Sequence, residues 1–154
     1  MVTLTDREQI YKQVVDFAQD GILFADRDGN IRVWNSGAET IFGYTSEEAI
    51  GKSLDLIVPE KLRDRHWEGY NRVMDTGESR YGHELLKVPA ARKDGKRISV
   101  EFTIILVRDH QNGILGSAAI MRDITERWQY EKELKERLKF LEDQLKLQKT
   151  PDPI

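Results

Sequence analysis

The chain has no cysteine and only four prolines in 154 residues. Without cysteine it can form no disulfide, offer no thiolate nucleophile and build no metal site from sulfur ligands. It also lacks a long apolar run and an opening signal-peptide pattern. We therefore expect a cytoplasmic module without membrane contact, which could equally be a piece of a larger, even membrane-bound, protein.

The chain also has no excess of positive charge. Lys and Arg number 24 against 27 Asp and Glu, which gives a net charge of −3. No basic block of the kind that nucleic acid requires is present, so direct nucleic-acid binding is not expected. No catalytic triad order, paired-carboxylate site or phosphate loop stands out, so the protein is not expected to be an enzyme.

Charged residues are abundant, at 33% of the chain against 39% hydrophobic. This composition indicates a modest core beside a long solvated helix, and the length suits one domain with an appendage.

Three glycine-containing turns divide the chain unevenly. They are Asp28-Gly29-Asn30, Asp94-Gly95-Lys96 and Gln111-Asn112-Gly113. Such turns between alternating apolar runs are strong hairpin signals, because Gly and Asn adopt positive φ with little strain. They predict two strands, a long stretch with helical patterning, and three further strands. We expect an α+β fold in which a five-stranded antiparallel sheet and a helical insert form a cup.

Helix signals place the other elements. Residues 1–20 are predicted to hold an amphipathic helix that starts at a Thr5-x-x-Glu8 capping box. Short helices are expected over 35–43 and after Thr45.

A longer helix is expected to start with Pro59 at its first position. One face of it carries five residues that should point into the cup: Leu62, His66, Tyr70, Val73 and Met74. Strand three is predicted over residues 81–88.

The segment 124–148 differs in kind, because it contains no Gly or Pro. Four leucines repeat there at heptad spacing: Leu134, Leu138, Leu141 and Leu145. Arg127 and Glu131 continue the same seam as polar positions at its root. We expect a coiled-coil helix that joins two copies in a homodimer, followed by a tail at 149–154. The alternative is a single amphipathic helix packed against its own domain.

Several short motifs in this order resemble those of the PAS sensor family. They are Asp26 to Ile31 with Trp34-Asn35, Phe42-Gly43-Tyr44-Thr45, Arg92-Lys93-Asp94-Gly95 with Glu101, and Arg122 to Arg127. The match covers about residues 21–127, and the sensor domain itself is assigned to 21–123. The resemblance implies a sensing or dimerising module that passes its state to an output domain, such as a kinase, a cyclase or a DNA-binding domain.

The same resemblance suggests what the cup holds. The flavin-photoadduct members of the family use a cysteine, which this chain lacks. The segment from Arg65 to Tyr70 resembles the helix of the haem-binding, oxygen-sensing members, and His66 precedes Asp94 by 28 residues, as their axial histidine does. The likeness implies haem b with His66 as the iron ligand and Arg72 near a propionate. Ala118 and its small neighbours on the last strand would leave room for a flat molecule.

On the other side of such a haem the pattern departs from those members. Their distal arginine and methionine positions fall on Leu86 and Glu84 here. We expect an apolar distal face lined by Leu86, Ile104 and Leu106, which favours carbon monoxide or nitric oxide over oxygen. His83 and Met121 are weaker candidates for a sixth ligand.

The alternative is a domain that binds no haem. His66 could simply pack in the core, and the cup could hold another small ligand or none. The domain would then act as a dimerisation and relay module.

Overall fold

The computed structural model describes residues 1, 3–82 and 84–149. The chain divides into two compact units, residues 1–123 and a second that begins at Ile124. Among the described residues, no helix is both long enough and apolar enough to span a membrane.

The described residues of the first unit form four helices and five strands. The helices are α1 (Leu4–Phe17), α2 (Ser36–Phe42), α3 (Ser46–Ala49) and α4 (Arg63–Thr76). Two 3-10 turns, Leu54–Leu56 and Glu60–Leu62, precede α4. The strands are β1 (Gly21–Asp26), β2 (Ile31–Trp34), β3 (Leu86–Ala91), β4 (Arg97–Arg108) and β5 (Ile114–Asp123).

The strands form one antiparallel sheet in the order β2-β1-β5-β4-β3. The first and last strands in the chain therefore lie side by side at the centre, and the helices between β2 and β3 make up the insert. The predicted α+β fold with its five-stranded antiparallel sheet is confirmed. The core is built from the inner face of this sheet and from α2, with Phe42, Ile31 and Val100 as its largest fully buried side chains.

The N-terminal helix begins earlier than predicted. Thr3, not Thr5, is the cap: its hydroxyl accepts from the Asp6 N–H at 3.0 Å, and the Asp6 carboxylate accepts from the Thr3 N–H at 2.9 Å. Both threonines precede an acidic residue by three positions, so the sequence pattern could not choose between them.

The predictions for α2 and α3 hold. Asn35 caps α2, which ends at Gly43 with φ +79°, and Thr45 forms a capping box with Glu48. Pro59, however, caps the second 3-10 turn, and α4 starts only at Arg63.

Strand three was predicted too early in the chain. It spans Leu86–Ala91, because pairing across the Asp94-Gly95 turn sets Ala91 opposite Arg97 and continues to Leu86 opposite Phe102. The strand includes Pro89, which is tolerated because β3 is an edge strand, where a missing N–H leaves no partner unsatisfied.

The second unit is dominated by α5 (Thr125–Lys149). Arg127 and Glu131, the predicted polar root of the seam, pair along the helix at 3.8 Å. The four heptad leucines are between 44% and 60% exposed in the single chain.

Candidate functional site

Helix α4 carries the predicted ligand, His66. Helix α4 follows the second 3-10 turn directly in the chain, and its Tyr70 side chain reaches the main chain of β1. His66, Tyr70 and Val73 are half-buried on one side of the helix, as their spacing predicted, and Met74 is a buried core residue.

The imidazole of His66 has a nitrogen without a partner. Its Nδ1 is buried and forms no hydrogen bond. Burial lowers the pKa of His66 from its ordinary value, and the nearby Asp55 carboxylate opposes this more weakly. The ring is therefore held neutral, with a ring nitrogen that the protein itself leaves unsatisfied.

Two aromatic rings flank this imidazole. Trp67 meets it edge-on, with ring centroids 4.9 Å apart, and the Tyr70 ring lies 5.8 Å away. The Tyr70 hydroxyl donates to the carbonyl oxygens of Asp26 at 2.6 Å and Ala25 at 3.2 Å. Burial, aided by the Asp26 charge, raises the pKa of Tyr70 to about 12, so it stays a donor that ties α4 to β1.

The sheet supplies an apolar wall. Residues directly opposite each other in an antiparallel pair share a face, and the register places Leu86 with Phe102, Ile104 with Ala119, and Leu106 with Ser117. The partners of Ala119 and Ser117 on β1 are Leu23 and Ala25, which are buried. The predicted lining residues Leu86, Ile104 and Leu106 therefore all lie on the inner face, where each is half-buried.

Ala118 does not line the inner face as predicted. It pairs with Phe24 on β1 and Ile105 on β4, and Ile105 is 49% exposed. Because neighbouring residues of a strand point to opposite faces, Ala118 lies on the outer face and Ala119 is the small residue inside.

Two other candidates stand apart from His66. Arg72 is exposed, and six positions along an α-helix place it about 120° around from His66. Met121 is on the inner face but belongs to the buried core cluster. His83 lies outside the described residues, and Glu84 is exposed.

The geometry is that of a helical insert beside a five-stranded sheet whose inner face carries apolar side chains, and the family comparison agrees with it. The family described as "PAS fold" matches residues 15–129. The chain belongs to the PAS family. The likeness inferred from the motifs is thereby confirmed at the level of the family.

Several relatives of this PAS domain are named as sensor or signal-transduction proteins. The oxygen sensor protein DosP of Escherichia coli is 28% identical over 120 residues, which are 70% of this chain and 15% of that protein. Sensor protein FixL of Bradyrhizobium diazoefficiens is 26% identical over 133 residues, 86% of this chain and 26% of FixL. The signal transduction histidine-protein kinase AtoS of E. coli is 25% identical over 114 residues, 74% of this chain and 18% of AtoS.

The chain thus spans about a quarter or less of the length of these relatives. Among solved structures, the PAS domain of a Colwellia psychrerythraea protein superposes with a TM-score of 0.69 at 24% identity, over 79% of this chain and 99% of that one. The chain is a PAS sensory signalling module.

The PAS domain has a surface cavity of about 420 Å³ between the second 3-10 turn and the β3–β4 hairpin, and His66 is not among its lining residues. In the part of the chain that the structure describes, no cluster of three or more His, Asp or Glu residues could hold a metal ion.

One contact in the site had no sequence signal. The indole Nε1–H of Trp67 donates to Asp55 Oδ1 at 2.8 Å. The two residues are twelve apart across irregular chain, and no periodicity links positions in such a segment.

Proposed function

We propose that this PAS domain binds haem b through His66 and senses a diatomic gas or a redox state. The observation that carries the proposal is the buried, unpartnered ring nitrogen of a neutral imidazole on α4. A neutral histidine is the usual axial ligand of a sensing haem. The relatives named oxygen sensor protein DosP and sensor protein FixL make a gas or redox signal a natural choice.

Haem also fits the residues that surround His66. Among the described residues, no cluster of several side chains could hold a metal ion. The iron of haem is already bound by the porphyrin, so it needs only one histidine from the protein. The half-buried Leu86, Ile104 and Leu106 offer an apolar face to a porphyrin. When bound, haem would supply iron that takes up a diatomic gas.

The chain's own residues would hold the group and select the gas. His66 would provide the axial nitrogen, and Tyr70 would keep α4 tied to β1 during binding. Leu86, Ile104 and Leu106 would exclude water and offer no hydrogen bond, which favours carbon monoxide or nitric oxide over oxygen. Arg72, exposed on another side of α4, would serve a propionate only at the rim of the cup.

The signal would leave through α5. The seam leucines are exposed in the single chain, so a parallel homodimer through α5 would bury them, and each buried leucine contributes roughly 1.5–3 kcal/mol. The exposed apolar residues of α1, such as Val14 and Phe17, would add to the same dimer. We place the module in the cytoplasm, in a longer protein with an output domain such as the kinase of AtoS.

Hemin titration of the purified protein tests the proposal. The wild-type protein should take up one hemin per chain with a sharp Soret band, and His66→Ala should lose most of that uptake while its circular dichroism is unchanged. His110→Ala, at an exposed turn between β4 and β5, is the matched control and should bind like the wild type. A protein that takes up no hemin would instead favour a PAS relay that holds another ligand or none.

A further inference from the structure

The ring of Trp67 is fixed from two sides before any ligand is present. Its Nε1–H donates to Asp55 Oδ1 at 2.8 Å. Its six-membered ring lies against Gly29, where a Cβ atom would come within 2.2 Å of the indole carbons Cη2 and Cζ3. No side chain fits at position 29 beneath this ring, so the β1–β2 turn and the first 3-10 turn together hold the indole.

The two supports of Trp67 are themselves anchored. The Asp55 N–H donates to Ser53 Oγ at 3.1 Å, and the Asp55 carbonyl accepts from Arg63 Nη2 at 3.1 Å. The Gly29 carbonyl accepts from the Leu54 N–H at 3.0 Å. The turn and the 3-10 segment thus form one hydrogen-bonded platform under the indole.

His66 has no such anchor of its own. Its Nδ1 is without a hydrogen bond, so no polar contact fixes the ring through that atom. What holds the imidazole is packing against Trp67 at 4.9 Å and Tyr70 at 5.8 Å, and these two rings contact each other edge-to-face at 5.5 Å. The orientation of the imidazole therefore depends on rings that other residues fix.

We propose that Trp67, held by the Asp55 carboxylate and the Gly29 backbone, is the positioning residue that orients the His66 imidazole for its ligand. This inference rests on the proposed function, because the oriented nitrogen is the one that would bind haem. Trp67 does not touch the iron in this account. It acts by limiting the rotation of the neighbouring ring, so that less side-chain freedom is lost on binding.

A set of four variants separates positioning from general stability. Trp67→Phe keeps an aromatic ring and removes the N–H, and Asp55→Ala removes its acceptor. Asp55→Asn keeps Oδ1 as an acceptor and should restore wild-type behaviour. Trp34→Phe is the matched control, because Trp34 Nε1 also donates one half-buried hydrogen bond, to the Tyr44 carbonyl at 3.0 Å, in another part of the core.

The first readout needs no haem. Carbon-13 relaxation of the His66 ring in the ligand-free protein should give an order parameter of about 0.85, as in rigid structure, falling below about 0.6 in Trp67→Phe and Asp55→Ala. Asp55→Asn and Trp34→Phe should keep the wild-type value. An unchanged order parameter in Trp67→Phe, or an equal fall in Trp34→Phe, would overturn the positioning role whether or not hemin binds.

The second readout is hemin affinity, which should fall on the order of tenfold in Trp67→Phe and Asp55→Ala, the effect of one net hydrogen bond. Equal affinities for Trp67→Phe and wild type would overturn the role of Trp67 in a protein that does bind hemin. If the wild type binds no hemin, the proposed function fails, and the order parameters still decide whether Trp67 orients the ring.

Discussion

Arg122, near the end of β5, holds Asp20 with two parallel hydrogen bonds. Nε donates to Oδ1 at 3.0 Å and Nη2 donates to Oδ2 at 2.9 Å. Asp20 lies in the short link between α1 and β1, and Arg122 lies three residues before α5 begins. The pair therefore ties the link between α1 and β1 to the end of β5, the strand that precedes α5.

This pair predicts a pH dependence of stability. The hydrogen bonds from Arg122 are the largest cause that lowers the pKa of Asp20 below its ordinary value. A depressed carboxyl pKa stabilises the folded state above the unfolded pKa of about 3.9, and the stability is lost as pH falls through the folded value. In Arg122→Gln this contribution should disappear, and the loss near pH 7 should be small, because water screens a largely exposed pair.

This contribution is the difference in the free energy of unfolding between the wild type and Arg122→Gln. Urea unfolding at pH 7 and at pH 3 measures that difference. Other carboxyls with lowered pKa values, such as Asp26 and Asp94, cancel in that difference. A gap between the two proteins that is as large at pH 3 as at pH 7 would show that the pair contributes nothing through ionisation.

The buried side chain of Asn35 also holds the link between α1 and β1. Its Nδ2 donates to the carbonyls of Val15, Ala18 and Asp20 at 2.8, 3.3 and 3.0 Å, and its Oδ1 accepts from the N–H groups of Ile22 and Ala38 at 2.7 and 2.9 Å. Asn35→Ala should cost about 3 kcal/mol, because several buried or half-buried backbone groups lose their partner. Asn35→Ser should cost less, since a serine hydroxyl can still cap α2.

Hydrogen exchange localises the effect. Both Asn35 variants should lose protection in the second half of α1, while β4 and β5 keep theirs. Uniform loss over the whole sheet, or no loss in α1, would contradict the assignment of Asn35 as the link between the first helix and the core.

The sequence predicted the sheet because its turns have strong local signals. Gly29 and Gly95 adopt φ +79° and +80°, and Asn112 adopts φ +66°, as such hairpins need. The short helices over 35–43 and after Thr45 were predicted for the same reason. Long-range contacts had no such signal: nothing in the sequence joins Asp20 to Arg122, or Asp55 to Trp67. The face of Ala118 was missed because strand register, which decides between positions 118 and 119, is set by pairing with β1 and β4.

The corrected register makes a sharp prediction about the cup. Ala119→Leu should add three carbon atoms to the inner face opposite Leu23 and Ile104, and should reduce hemin affinity at least tenfold. Ala118→Leu adds the same volume to the outer face and should bind hemin like the wild type. If Ala118→Leu were the variant that lost hemin, the inner and outer faces assigned to β5 would be reversed.

The α5 seam predicts a concentration-dependent dimer. Leu138→Asp combined with Leu141→Asp should give a folded monomer, because two charges would be buried in a two-helix seam. Phe140→Asp is the matched control: it introduces a charge at a similarly exposed apolar position of α5 outside the heptad seam. Sedimentation equilibrium at tens of micromolar should show dimers for wild type and Phe140→Asp. A monomeric wild type, or a double variant that remains dimeric, would refute the seam.

The central claim is that the His66 nitrogen is the axial ligand of a haem, and chemical rescue tests it most directly. In His66→Gly, hemin should bind poorly alone, and added imidazole should restore both the uptake and the wild-type Soret band by supplying the missing nitrogen. Helix α4 should survive the change, which costs only about 1 kcal/mol of helix propensity. A His66→Gly protein that binds hemin fully without imidazole, with an unchanged spectrum, would contradict the account.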